Sequence, residues 1–178
     1  MIRPRSHRIP RSRKKRTIPL SNLRTSEVVR TVVANPRRLS ELLNLLEDKE
    51  RPVRGRAAAT LARLSESHPG RLVRVLNRLK EGLADDSAYV RWSLSYALGR
   101  VGSIFPNQAG RFLEELCSLL DDENRIVKVL ACRALERIAA RKPQLVCDYF
   151  KNSKKEMPGT IARCIRKRGL TLSKTGVN

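Results

Sequence analysis

The sequence predicts an all-α chain: an α-solenoid of stacked helical pairs, about 3.5 repeats of 37 residues, with basic disordered tails. Three observations carry this. Val53, Val90 and Val127 stand 37 residues apart, as do Leu61, Leu98 and Leu135, then Arg63, Arg100 and Arg137, then Pro69, Pro106 and Pro143. Each period contains two apolar stripes at helical spacing, separated by a proline. One such pair cannot bury its own apolar face, but several stacked pairs can.

Residues 1–24 hold three prolines, many arginines and little to bury, so they are expected to be a basic disordered tail. The solenoid is expected over 25–152. A short helix begins near Thr25, uses Val28, Val29 and Val32, and stops before Pro36, because the residue before a proline is pushed out of the helical region. Leu39, Leu42, Leu43 and Leu46 follow at i, i+3, i+4, i+7, so 25–47 reads as a degenerate first repeat capping the stack. In the full repeats the first helices use Val53, Ala57, Leu61 and Leu64, then Val90, Leu94, Leu98 and Val101 up to Gly102, then Val127, Ala131, Leu135 and Ile138. Second helices start at the prolines, where a missing N–H is harmless, and bury Leu72, Leu76, Leu79 and Leu83, then Leu113, Leu116 and Leu120, then a short run from Pro143 to Phe150. The basic segment 153–178 has room for one capping helix over Glu156–Arg168, with Ile161, Cys164 and Ile165 on one side, before fraying.

Net charge is +21, which asks for an anionic partner. Residues 1–24 contribute +9 with no acid and residues 151–178 contribute +7, so the body is only mildly basic. Four cysteines show neither a C-x-x-C pair nor a zinc spacing, and Cys132 falls in the small slot of Ala58 and Ser95, as a free thiol would. These features, with no membrane-length apolar run and no secretion signal, predict an intracellular, cytoplasmic chain with no membrane partner.

The pattern Asp48…Val53-Arg54…Ala57-Ala58…Leu61…Leu64, repeated from Asp85 and Asp122, resembles the HEAT repeat family over residues 25–150. The resemblance implies a curved stack with first helices on the convex side and second helices on the concave side. It also implies a ladder of loop aspartates and Arg54, Arg91 and Lys128 tying neighbouring turns, and a bias toward scaffolds and adaptors. Most residues in the register are accordingly assigned to holding the stack.

Candidate binding residues come from what remains. Arg37, Arg74 and Arg111 stand 37 apart on the second helices, and Arg71, Arg74 and Arg78 share the face opposite the leucines of theirs. They are expected to form a positive stripe on the inner curve, able to follow a phosphate backbone or an acidic segment. The series stops at Asp148, and a solvated face is the plain alternative. Trp92, with Tyr89 and Tyr96, either stacks on a partner or packs against the flanking helices near Gly55 and Val129. Arg11, Arg13, Lys14, Lys15 and Arg16 form the densest charge run and favour polyanion contact. His7 and His68 have no catalytic companions, no phosphate loop or nucleophile elbow is present, and no cofactor or metal is expected. Alkylpurine DNA glycosylases built from HEAT-like repeats use Trp, Asp and Arg in a concave groove, but Trp92 falls on a first helix, on the expected convex side, and no acid lies one turn from it. The sequence therefore reads as a non-enzymatic scaffold whose basic tails and concave arginines contact nucleic acid or a ribonucleoprotein. The alternative is an adaptor gripping an acidic protein partner.

Overall fold

The structure, a computed structural model, describes residues 18–169. The helices among them are α1 (Thr25–Ala34), α2 (Leu39–Asn44), α3 (Arg51–Ser67), α4 (Leu76–Glu81), α5 (Ala88–Ile104), α6 (Leu113–Ser118), α7 (Arg125–Ala139), α8 (Pro143–Ser153) and α9 (Gly159–Arg166). No strand occurs among the described residues. Leu61, Leu98 and Leu135 are fully buried in the row of first helices α3, α5 and α7, and Leu72, Leu76, Leu79 and Leu116 meet them from the second elements. That two-layer core is the α-solenoid read from the period.

Each first helix has a defined start. Pro52 sits in the first turn of α3, and the Asn124 side chain accepts the N–H of Ile126 at 2.9 Å and of Val127 at 3.3 Å to cap α7. The loop aspartates do two things at once. Asp48, Asp85 and Asp122 each accept the backbone N–H two residues on, at 2.9, 2.7 and 2.8 Å, which shapes the turn into the next helix. Asp85 then receives Arg54 of the preceding repeat at 2.7 Å, and Asp122 receives Arg91 at 2.7 Å. The same guanidiniums reach the carbonyls of Asp48 and Asp85, so each arginine spans the junction between two turns. At Lys128 the period would call for an aspartate at 159, and Gly159 stands there.

Several expectations need correction. The folded body begins before residue 25: Leu20 is buried, its N–H donates to Glu41 Oε1 at 2.9 Å, and Arg38 donates to the Ile18 carbonyl at 2.6 Å. An apolar residue in reach of the α1–α2 pair is enough to draw the chain onto it. The first helix of repeat two continues past Gly102 to Ile104. The second helix of repeat one is broken into 3-10 turns at Pro69–Arg71, Val73–Val75 and Gly82–Ala84 around the short α4. The break falls at Val75, whose backbone leaves the helical region (φ −119°, ψ 17°). Repeat two does the same over Pro106–Arg111. Apolar residues at i and i+3 suit a 3-10 turn as well as an α-helix, so the stripe alone does not separate them.

The curvature is also the reverse of the expected one. First helices approach closely: a Cβ on Gly99 would lie 2.6 Å from Ala134 Cβ, and one on Gly55 would lie 3.0 Å from the Tyr89 ring. Second elements are held apart by a groove of about 730 Å³ between Pro36–Leu43 and Gly70–Val75, and another of about 420 Å³ between Gly70–Arg74 and Ile104–Gln108. A groove of about 420 Å³ also separates α1 from α3, between Ser26–Arg30 and Arg63–Ser67, so the asymmetry holds from α3 onward. A stack that is tight on one side and splayed on the other bends toward its tight side. The faces of α3, α5 and α7 turned away from the core therefore line the concave side, and the second elements lie on the convex side.

Beyond α8 the chain turns at Lys154, which is left-handed (φ 54°, ψ 17°), and α9 lies against α7. Ile161 and Ile165 are fully buried there, and Cys164 Sγ donates to the Glu136 carbonyl at 3.5 Å. Cys132 is only half-buried, not enclosed like Ala58 and Ser95, because α9 is shorter than the first helices it follows; its Sγ lies 3.2 Å from Thr160 Oγ1.

Candidate binding face

The arginines expected on the inner curve lie on the convex side, and most are engaged with the preceding repeat. Arg71 donates to the Val33 carbonyl at 2.9 Å. Arg78 pairs with Glu47, and Arg111 reaches Asn77 at 3.0 Å and Gln108 at 3.3 Å. Arg37 and Arg74 are exposed and, with Arg71, rim the larger groove over a floor of Leu39, Leu43 and Val75. No continuous stripe results, because the 3-10 turns shift the side chains out of helical phase. Arg11, Arg13, Lys14, Lys15 and Arg16 lie outside the described residues.

Trp92 is half-buried and packs edge-on against Tyr89, ring centroids 4.8 Å apart. Tyr89 in turn covers Gly55. The aromatic face thus packs against the flanking first helix while Tyr89 stays 46% exposed. With the curvature corrected, Trp92 belongs to the concave side, away from the arginines named with it. The α5 helix carries no acidic residue, so the Trp-and-Asp pair of the glycosylase likeness is not assembled around it.

What the concave face does contain is Arg63, Arg100 and Arg137, one per first helix at the same position of the turn. Neighbouring packed helices lie about 8–10 Å apart, so the three guanidinium-bearing positions form a row across α3, α5 and α7. Unlike Arg54 and Arg91, none of the three has a carboxylate at ion-pair distance among the described residues. The Arg100 Nε is buried without an acceptor. Arg137 lies over the Tyr96 ring, 4.9 Å from its centroid. The Tyr96 hydroxyl donates to Glu66 at 2.8 Å across α3 and α5, and this bond together with burial pushes the phenol pKa up, so it stays protonated. Arg133 extends the positive field on α7. Among α3, α5 and α7 the acids are Glu66 and Glu136, of which the first accepts from Tyr96 and the second from the Cys132 thiol at 3.9 Å.

The row was legible in the sequence as part of the 37-residue register, but there it reads as structural. What distinguishes these arginines from Arg54 and Arg91 in the sequence is that no acidic residue recurs with them. Among the described residues no comparable constellation of nucleophile, acid or base occurs. Burial pushes the Cys117 thiol up to about 12, so it is not a thiolate nucleophile. Among the described residues no group of three or more His, Cys, Asp and Glu is placed to hold a metal, and no helix is long and apolar enough to cross a membrane.

Comparison with solved structures places the architecture. The chain is similar to a computationally designed armadillo repeat protein for modular peptide recognition (19% identity, TM-score 0.62, covering 82% of this chain and 69% of that one). It is similar to an archaeal HEAT-like repeats protein from Thermococcus onnurineus NA1 (17% identity, TM-score 0.61, 81% and 59%). A designed armadillo repeat protein in complex with peptide (KR)4 is a further neighbour (17% identity, TM-score 0.57, 80% and 74%). No protein-family model and no curated protein matches the chain. At these identities the likeness shows the fold: an all-α solenoid of the armadillo and HEAT-like kind.

Proposed function

We propose that this chain is a non-enzymatic repeat scaffold that holds an acidic segment of a protein partner in its concave face. The observation that carries the reading is the row Arg63, Arg100 and Arg137, repeated in register yet left without carboxylate partners among the described residues. Guanidinium groups on rigid helices are preorganised for carboxylate, so an incoming acid replaces water without displacing an internal ion pair. A peptide-bound neighbour of the same fold, the armadillo design in complex with (KR)4, supports the use of this architecture for charged peptides; here the scaffold would carry the positive charge.

A second reading rests on a separate observation. All 17 acidic residues lie within 18–169, which still balance to +12, and residues 1–17 add eight basic residues with no acid. That distribution favours nucleic-acid contact through the basic ends, with steep salt dependence. The test is fluorescence anisotropy on the full chain, with a labelled oligoglutamate peptide and with mixed-sequence RNA and DNA, across salt. Combined Arg63→Gln, Arg100→Gln and Arg137→Gln is expected to weaken the peptide at least about tenfold. Replacing Arg11, Arg13, Lys14, Lys15 and Arg16 by Gln is expected to leave it unchanged. Nucleic acid bound more tightly than peptide, lost with the N-terminal changes and indifferent to the triple change, would overturn the proposal in favour of the second reading.

A further inference from the structure

The concave face has a second chemistry at its other end. Among the described residues the exposed large hydrophobic side chains are Ile18, Tyr89, Ile104, Ile126 and Val129, and three of these five sit together on the first halves of α5 and α7. Tyr89 and Ile126 are 37 residues apart, as are Trp92 and Val129, so the two helices present matched pairs. The equivalent positions on α3 are Pro52 and Gly55, and Gly55 lies beneath the Tyr89 ring. The apolar shelf is therefore confined to α5 and α7. Ile126 is 59% exposed and Val129 42%, more than a helix face needs for its own packing.

The shelf and the arginine row are linked along the helix axes. From Trp92 to Arg100 and from Val129 to Arg137 is two helical turns, about 12 Å at 1.5 Å per residue. A chain lying lengthwise over the α5–α7 junction would meet apolar surface first and guanidinium groups about 12 Å later. In extended form that distance is about four residues. A chain lying crosswise would meet three arginines and little of the shelf. Apolar contact supplies area, and the charge at one end sets direction and register.

Resting on the reading of the concave face as a protein-binding site, we propose that its ligand is an amphipathic acidic segment. It runs along α5 and α7, with aromatic or aliphatic side chains on Tyr89, Trp92, Ile126 and Val129 and carboxylates at Arg100 and Arg137. Arg63 lies outside this track, because α3 offers no shelf.

The experiment uses the full chain and three labelled peptides of equal length: a block of Leu and Phe joined to a block of Glu, a scramble of the same composition, and oligoglutamate. The block peptide is expected to bind at least about tenfold more tightly than either control. Arg100→Gln and Arg137→Gln are each expected to weaken it severalfold, and more than Arg63→Gln does. The surface changes Ile126→Ser and Val129→Ser are also expected to weaken it severalfold, while the convex-side change Arg74→Gln leaves it within about twofold. Circular dichroism and melting on each variant establish that it is folded. If block, scramble and oligoglutamate bind alike and Arg63→Gln weakens them as much as Arg100→Gln, the segment crosses the helices. This inference then fails while the scaffold reading stands. If no acidic peptide binds at all, both fail.

Discussion

At the scale of single residues, the arginines of the first helices divide by partner. Arg91 and Asp122 have side chains only 9% and 6% exposed, and their contact at 2.7 Å holds the second and third turns together. The Arg91 hydrogen bond keeps the Asp122 carboxyl below its ordinary range, and the neighbouring carboxylate pushes the Arg91 pKa up, so the arginine stays charged throughout. A lowered folded pKa means stability that is present above the unfolded value, about 3.9, and lost as pH falls through the lower folded one. Melting temperature is therefore expected to drop as pH is taken from 5 to below about 3. Asp122→Asn, which keeps the turn-forming oxygen, is expected to cost about 2 kcal/mol at pH 7 and to flatten that acid limb. Thermal melts across pH on both proteins check this. Arg54 and Arg91 were readable as ladder residues because a partner aspartate recurs with them. Arg63, Arg100 and Arg137 recur without one, and this missing companion was the signal available in the sequence.

At the scale of elements, the first helices are set by how closely they pack. A methyl on Gly99 would fall 2.7 Å from the Ala134 backbone as well as 2.6 Å from its Cβ, and backbone cannot swing away as a flexible side chain can. Gly99→Ala is expected to push α5 off α7 and cost about 1–3 kcal/mol. Gly159 at the start of α9 has nothing within 4 Å of its would-be Cβ, so Gly159→Ala is expected to be neutral or stabilising by about 0.5 kcal/mol. Chemical denaturation of the two variants separates close packing from helix propensity. The second elements show the limit of sequence reading at this scale. Their leucines were placed in the core correctly except Leu120, which is half-buried while Leu119 takes the buried place. Pro69–Ala84 alternates 3-10 and α turns because i, i+3 spacing is common to both.

At the scale of the whole molecule, the stack needs its last first helix covered. The α9 helix does this with Ile161 and Ile165, both fully buried against the body. Ending the chain after Ser153 is expected to lower the melting temperature by on the order of 10 °C, from the loss of two buried isoleucines. It is also expected to cause self-association through the uncovered α7. Melting and sedimentation velocity test both, and an unchanged sedimentation coefficient with an unchanged melt would show that α9 is dispensable. The same scale bears on the proposed function, because concavity determines which arginines share one face.

The sequence by itself determined the helical pairs, their number, the 37-residue register, the aspartate turns and the distribution of charge. All of these depend on residues within one repeat or on their recurrence, which a linear reading captures. Only the tertiary structure decided which layer of the solenoid faces inward, whether the second elements run as continuous helices, and which periodic arginines have a carboxylate partner. Those properties belong to the spacing between adjacent repeats, where residues some 30 to 40 positions apart meet. A one-methyl difference such as Gly99 against Ala134 sets the approach of two helices, and recurrence alone does not reveal it.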